Sequence, residues 1–257
     1  MNRRAVWPLA RCVIIEAVRR KDLWVVAILG LIIMLFAGAL GFFGMRGLEA
    51  FAKDLGVSVL GLFSTILAVL ISARQIPEEM NRRTLCPLLA RPISRFDLLL
   101  GKYCGAVLAT WLAFAMLAAA TAIGLLAFGV PFEPIFAQYL LLKMLGLAAV
   151  CAASFALSLF TTPSAAATFG MLLAFGSGML SRAFVLAGQS CPSGTRWFYG
   201  LIESLVPQFS LFDIGGRAAG GWPLVPVSVV GALTVYCTMI VGAMLCLSWL
   251  RFRRRAL

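Results

Sequence analysis

Histidine is absent from all 257 residues, acidic residues number only ten, and charged residues of both signs make up 12% of the chain. The missing imidazole removes the commonest general base, the commonest metal ligand and the usual proximal ligand of haem, so catalysis within this chain is disfavoured. A P-loop is missing too. No G-x-x-x-x-G-K-[ST] occurs, and Gly101-Lys102 lacks both the leading glycine and the following hydroxyl, which excludes ATP hydrolysis of that kind. Seven cysteines show neither a disulfide framework nor a zinc spacing; Cys104, Cys151, Cys237 and Cys246 fall inside apolar runs, where they read as small hydrophobes. No catalytic residue, cofactor site or metal site is expected.

What is there is apolar. Hydrophobic residues make up 62% of the chain and the mean hydropathy is +0.98, against roughly 45–50% apolar residues in soluble domains. The expected fold class is an all-α membrane protein, with a single transmembrane domain over residues 1–257. A net charge of +12 could attract nucleic acid. The arginines flank apolar runs instead of interleaving with aromatics, however, so the partner implied is the lipid bilayer and not a nucleic acid.

A helix needs roughly 20 apolar residues to cross a ~30 Å hydrocarbon core. Runs of that kind predict six transmembrane helices, at about 23–43, 55–73, 103–130, 144–160, 165–181 and 224–250. Thr161-Thr162-Pro163-Ser164 supplies the break between the fourth and fifth. Lys and Arg set the orientation. Sixteen lie before the first span, between the second and third, and after the last, against six in the alternate connections. Both termini are therefore expected in the cytoplasm. On this division no Asp, Glu, Lys or Arg falls within a span, which argues against a proton-coupled transporter. The first span reads as a signal anchor, because its polar lead and apolar run exceed the dimensions of a cleaved signal peptide.

Two flanking segments carry pattern. Ala10, Val13, Ile14, Ala17 and Val18 share one helical face opposite Arg11, Glu16, Arg19 and Asp22. This is either an N-terminal amphipathic helix lying in the headgroup plane or a basic topogenic flank. Trp197-Phe198-Tyr199-Gly200-Leu201-Ile202, followed by Glu203 and Pro207, is too short to span. It either dips part way into the membrane as a re-entrant segment before the sixth helix or anchors an ordinary loop at the interface.

The stretch from Arg74 to Lys102 is the most informative. Thr84 can cap a short helix from Leu85 to Ala90, with Pro87 in its first turn and Arg91-Pro92 ending it. Ser94-Arg95-Phe96-Asp97 has the capping-box pattern, so a new helix is expected to begin at Arg95 and run into the third span, projecting below the membrane. Leu85, Leu88 and Leu89 then form apolar knobs on a cytoplasmic loop. They either dock on a partner protein or pack against the chain's own helix ends.

The run Glu79, Arg82, Thr84-Leu85, Leu88-Leu89-Ala90, Pro92-Ile93-Ser94-Arg95 and Leu100-Gly101-Lys102 resembles the signature of ABC type-2 permeases. That signature is E-x-x-x-G-T-L, then L-L-A-x-P-[IV]-S-R and G-K, between the second and third helices. The most similar subgroup is associated with multicopper-enzyme maturation and related export. Two positions depart from it, Arg83 for the glycine and Asn81 for an acidic residue.

The resemblance implies the membrane-spanning permease subunit of an ATP-driven exporter in the bacterial inner membrane. It also implies a homodimer working with an ABC ATPase subunit that binds the ATP. Residues 85–90 would be the coupling helix, with Glu79, Arg82, Thr84, Leu85, Leu88, Leu89, Pro92, Ser94 and Arg95 contacting that ATPase, and the segment before the last helix would form short re-entrant helices.

Two other functions stay open. One is a non-transport membrane assembly or scaffold protein. The other is an intramembrane enzyme or secondary transporter, for which Ser58, Ser154 and Ser177 would be nucleophiles without a base. Ser58, Ser64, Thr65, Thr110 and Thr121 are candidate lining residues of a path, equally explained by interhelical hydrogen bonds.

Overall fold

The computed structural model describes residues 3–19, 24, 28, 30–32, 48–81, 94–127, 133–190 and 206–253. Among them there are helices and turns and no strand. The helices are α1 (Arg3–Arg19), α2 (Leu48–Asn81), α3 (Arg95–Ala127), α4 (Pro134–Ser158) and α5 (Pro163–Ser190), then the short α6 (Gly215–Ala219) and finally α7 (Val227–Arg253). A 3-10 turn, Phe209–Phe212, precedes α6.

Five of these helices are long and apolar enough to cross a membrane: α2, α3, α4, α5 and α7. The shortest such stretch, Pro163–Leu186, has 24 residues, about 36 Å at 1.5 Å per residue. The chain is thus a multi-pass, all-helical membrane protein. The first of the six expected spans falls mostly outside the described residues, although Trp24, Ile28 and Gly30 to Ile32 are helical.

Local signals placed several boundaries well. Ser94 caps α3 by accepting the Asp97 N–H at 3.0 Å, which is the hydroxyl half of the expected capping box. The break between the fourth and fifth expected spans is real: α4 ends at Ser158, and Pro163 opens α5, where its missing N–H costs nothing.

One boundary differs. The helix that carries the fourth expected span starts at Pro134, ten residues before 144, so Lys143 lies in the tenth position of a 25-residue apolar helix. A charge-free run stops at any lysine, whereas a helix stops only where its backbone pairing does.

α4 is the central element. It packs against α2, α3, α5 and α7, and its middle, Gly146 to Ala156, is buried and built largely from alanine and other small residues. Small side chains let neighbouring backbones approach where lipid offers no hydrophobic drive to associate. Side chains of α3 and α7 then bond to its backbone: Tyr103 Oη donates to the Ala148 carbonyl at 3.1 Å and Trp111 Nε1 to that of Met144 at 3.0 Å. Cys237 Sγ lies 3.2 Å from the Leu145 carbonyl. By contrast α5 and α7 expose Phe169, Leu172, Met179, Val235 and Met239, apolar surface suited to lipid.

The amphipathic α1 is also corrected in part. Its apolar face is Leu9, Ala10, Val13 and Ala17, and it packs on α3. A Cβ on Gly105 would come within 2.7 Å of the Val13 Cβ, so glycine permits the contact. Protein therefore covers the face assigned to the headgroup plane, while Val18, expected on that face, is exposed together with Trp7 and Ile15.

Candidate functional site

Of the residues singled out for ATPase coupling, Glu79 lies in the last turn of α2, Ser94 is the cap of α3, and Arg95 is its first residue. Arg82, Thr84, Leu85, Leu88, Leu89 and Pro92, with the short helix expected there, lie outside the described residues. The structure thus gives the frame of that segment: α2 and α3 are packed neighbours, and residues 82–93 join the end of one to the start of the other. Asp97 and Lys102, in the first turns of α3, are both buried, and Asp97 Oδ1 has no hydrogen-bond partner.

A second polar constellation, which local pattern had not marked, sits inside the bundle. Tyr139, Lys143 and Gly146 recur at i, i+4 and i+7 on α4 and so share one face. Against that face lies the segment following Val206. Its 3-10 turn places Phe209 and Phe212 three residues apart, eclipsed and both buried. Gly146 is the seat of Phe212: a Cβ there would stand 2.7 Å from the Phe212 Cβ.

The turn ends at Asp213. Its Oδ1 accepts the Gly215 N–H at 3.1 Å, an Asx-type turn, and its Oδ2 accepts from Lys143 Nζ at 2.6 Å. Tyr139 Oη, one turn away, donates to the Val57 carbonyl at 3.2 Å. Gly61 of α2 completes the enclosure, since a Cβ there would lie 3.5 Å from Lys143 Nζ and 3.7 Å from Asp213 Oδ2.

The pair is lopsided. The Lys143 side chain is 9% exposed and that of Asp213 45%. An ammonium without a partner at such a place would be costly, because neither water nor lipid could solvate it; the carboxylate at the rim supplies the compensation. Both groups border a cavity of about 160 Å³ between α2, α4, α5 and the turn, with Thr65, Phe175, Phe209 and Ser210 on its walls.

Further bonds hold the same segment in place. Gln138 clamps Val225 at two points, Nε2 donating to its carbonyl at 2.8 Å and Oε1 accepting its N–H at 2.9 Å. The Gln208 N–H donates to Tyr236 Oη at 3.0 Å, and Gln208 Nε2 donates to Ser181 Oγ at 2.9 Å. At the same end of α4, Lys53 meets its N-cap Glu133 at 2.6 Å.

Of the five candidate lining hydroxyls, Ser58 is exposed and the other four bond within their own helices. Ser64 and Thr65 bond to the Gly61 carbonyl, Thr110 to that of Ala106 and Thr121 to that of Leu117. Each is therefore satisfied by its own helix, and of these only Thr65 borders the cavity. Ser154 and Ser177 are buried without a hydrogen-bond partner.

The ion pair puts a lysine inside a helix long and apolar enough to cross a membrane, where the charge-free run begins only after Lys143. The spacing of Tyr139, Lys143 and Gly146 was available in the sequence. The partner, seventy residues on, was not. A family model described as "Protein of unknown function (DUF2705)" matches residues 23–257, and no curated protein matches the chain.

Proposed function

Because the chain belongs to the family described as protein of unknown function DUF2705, a description that names no activity, we propose a function from its own residues. The chain is the membrane-spanning permease subunit of an ATP-driven exporter of the ABC type, working as a dimer with a separate nucleotide-binding subunit on the cytoplasmic side. The observation that carries this reading is the frame around residues 82–93. Two long helices end and begin there, Ser94 caps the second, and the intervening residues carry the type-2 permease pattern with Leu85, Leu88 and Leu89 as its apolar knobs. In this reading the chain crosses the membrane six times, both termini are cytoplasmic, and residues 197–207, of which only 206 and 207 are among the described residues, dip part way into the membrane.

One observation favours a second reading, an ion-coupled secondary transporter: Lys143 and Asp213 form an ion pair within the apolar bundle, and ionisable groups at such places commonly mark transport sites. A single preparation separates the two. The tagged chain, purified from native membranes in mild detergent, should carry an ATPase subunit and show no ATP turnover when that subunit is stripped away. Changing Leu88 and Leu89 together to Asp should reduce ATPase retention a hundredfold or more, since each buried leucine is worth roughly 1.5–3 kcal/mol. ATP turnover by the stripped chain, or retention undiminished by the double change, refutes the exporter reading.

A further inference from the structure

The cavity beside Lys143 and Asp213 has an unusual balance of hydrogen-bonding groups. Lys143 has three donors, and Asp213 is its one acceptor among the described residues. Two ammonium donors remain. Asp213 uses one position on each oxygen, for Gly215 and for Lys143, out of about four that a carboxylate offers. Acceptor positions therefore remain as well. The hydroxyls of Thr65 and Ser210 add polar groups, while Phe175 and Phe209 make the opposite walls apolar.

Charge decides among ligands. The site is neutral as it stands, with one cation and one anion. A ligand bearing a single charge would engage only one of the two groups and leave the free positions on the other unused. A ligand with both charges would not. Its anion would meet the free Lys143 donors and its cation the free positions on Asp213.

Size narrows the class further. A cavity of about 160 Å³ is close to the ~150 Å³ of an engineered protein cavity that takes up benzene, the scale of a molecule with few heavy atoms.

We propose that this cavity binds a small zwitterionic solute of the amino-acid type, with its carboxylate on Lys143, its ammonium on Asp213 and its side chain against Phe175 and Phe209. The inference does not depend on the exporter reading, because it rests on Lys143, Asp213 and the cavity beside them and on none of residues 82–93.

The test uses the full chain in lipid nanodiscs, with L-alanine as the probe and propionate and propylamine as its singly charged counterparts. Equilibrium dialysis should show saturable alanine binding, with both counterparts at least tenfold weaker. Lys143→Met should weaken alanine binding at least tenfold. Should that variant fail to fold, Ala174→Leu decides the matter, since it fills the cavity from α5 and leaves both charges in place; it should abolish binding. No saturable binding of alanine by folded wild-type protein, equal binding of propionate, or undiminished binding by Ala174→Leu would each overturn the proposal. ATPase co-purification is a separate readout, so either proposal can fail without the other.

Discussion

The two halves of the Lys143–Asp213 pair differ in exposure, 9% against 45%, and they should therefore differ in what their loss costs. Asp213→Asn keeps the shape and removes one of two acceptor oxygens. The amide oxygen can serve Lys143 Nζ or the Gly215 N–H, which the carboxylate serves together at 2.6 and 3.1 Å, but not both. The ammonium stays buried with a weakened partner. Breaking a buried pair in this way costs about 3–5 kcal/mol, and the surviving neutral bond puts the expectation near ~3 kcal/mol, a factor of roughly a hundred in the folding constant.

Lys143→Met leaves only a carboxylate that is nearly half exposed and can rehydrate, so its cost should be about 1 kcal/mol or less. The double variant removes the stranded charge and should recover to within about 1 kcal/mol of wild type. Unfolding from mixed micelles by rising SDS, followed by tryptophan fluorescence, gives all four values of the cycle. If Lys143→Met costs as much as Asp213→Asn, or if the two effects simply add, the asymmetric-burial argument is wrong.

Three other outcomes follow from the packing. Gly146→Ala puts a Cβ 2.7 Å from that of Phe212 and should destabilise by about 1–3 kcal/mol through overpacking, measured in the same unfolding assay; an unchanged midpoint would mean that the 3-10 turn is not seated as described. Gln138→Leu removes both bonds to Val225, and hydrogen exchange at Val225 should rise at least fivefold with global stability held within about 1–2 kcal/mol. On the proposed orientation, a cysteine at position 88 should react with impermeant reagent only from the inside and one at position 222 only from the outside, after all seven native cysteines, Cys86 and Cys191 among them, are replaced. Labelling of position 88 from outside would reverse the topology.

Much of the fold was legible because its signals are local. Apolar runs gave the spans that became α2, α3, α5 and α7, and turn chemistry at Thr161 to Pro163 gave the break before α5. A serine three residues before an aspartate gave the start of α3. The site was less legible. The residues proposed for ATPase coupling stand out through a linear pattern, whereas Lys143 looked like the boundary of a span because its compensating charge cannot be found by scanning neighbours. The amphipathic face of α1 was readable as a face, but not what covers it: Gly105 of α3 is the reason protein fits there.

The sequence alone determined what depends on composition and period, namely a helical membrane protein, the broad placement of most of its described spans, and the absence of a P-loop. Such properties depend on transfer free energy and on backbone groups a few residues apart, which any stretch of chain carries with it. The tertiary structure alone decided that Lys143 belongs inside α4, that Asp213 neutralises it, and that a polar cavity opens beside them. A buried charge is tolerated or forbidden according to the group placed against it in space. Here that group arrives on a turn seated on Gly146, where a Cβ would stand 2.7 Å from that of Phe212.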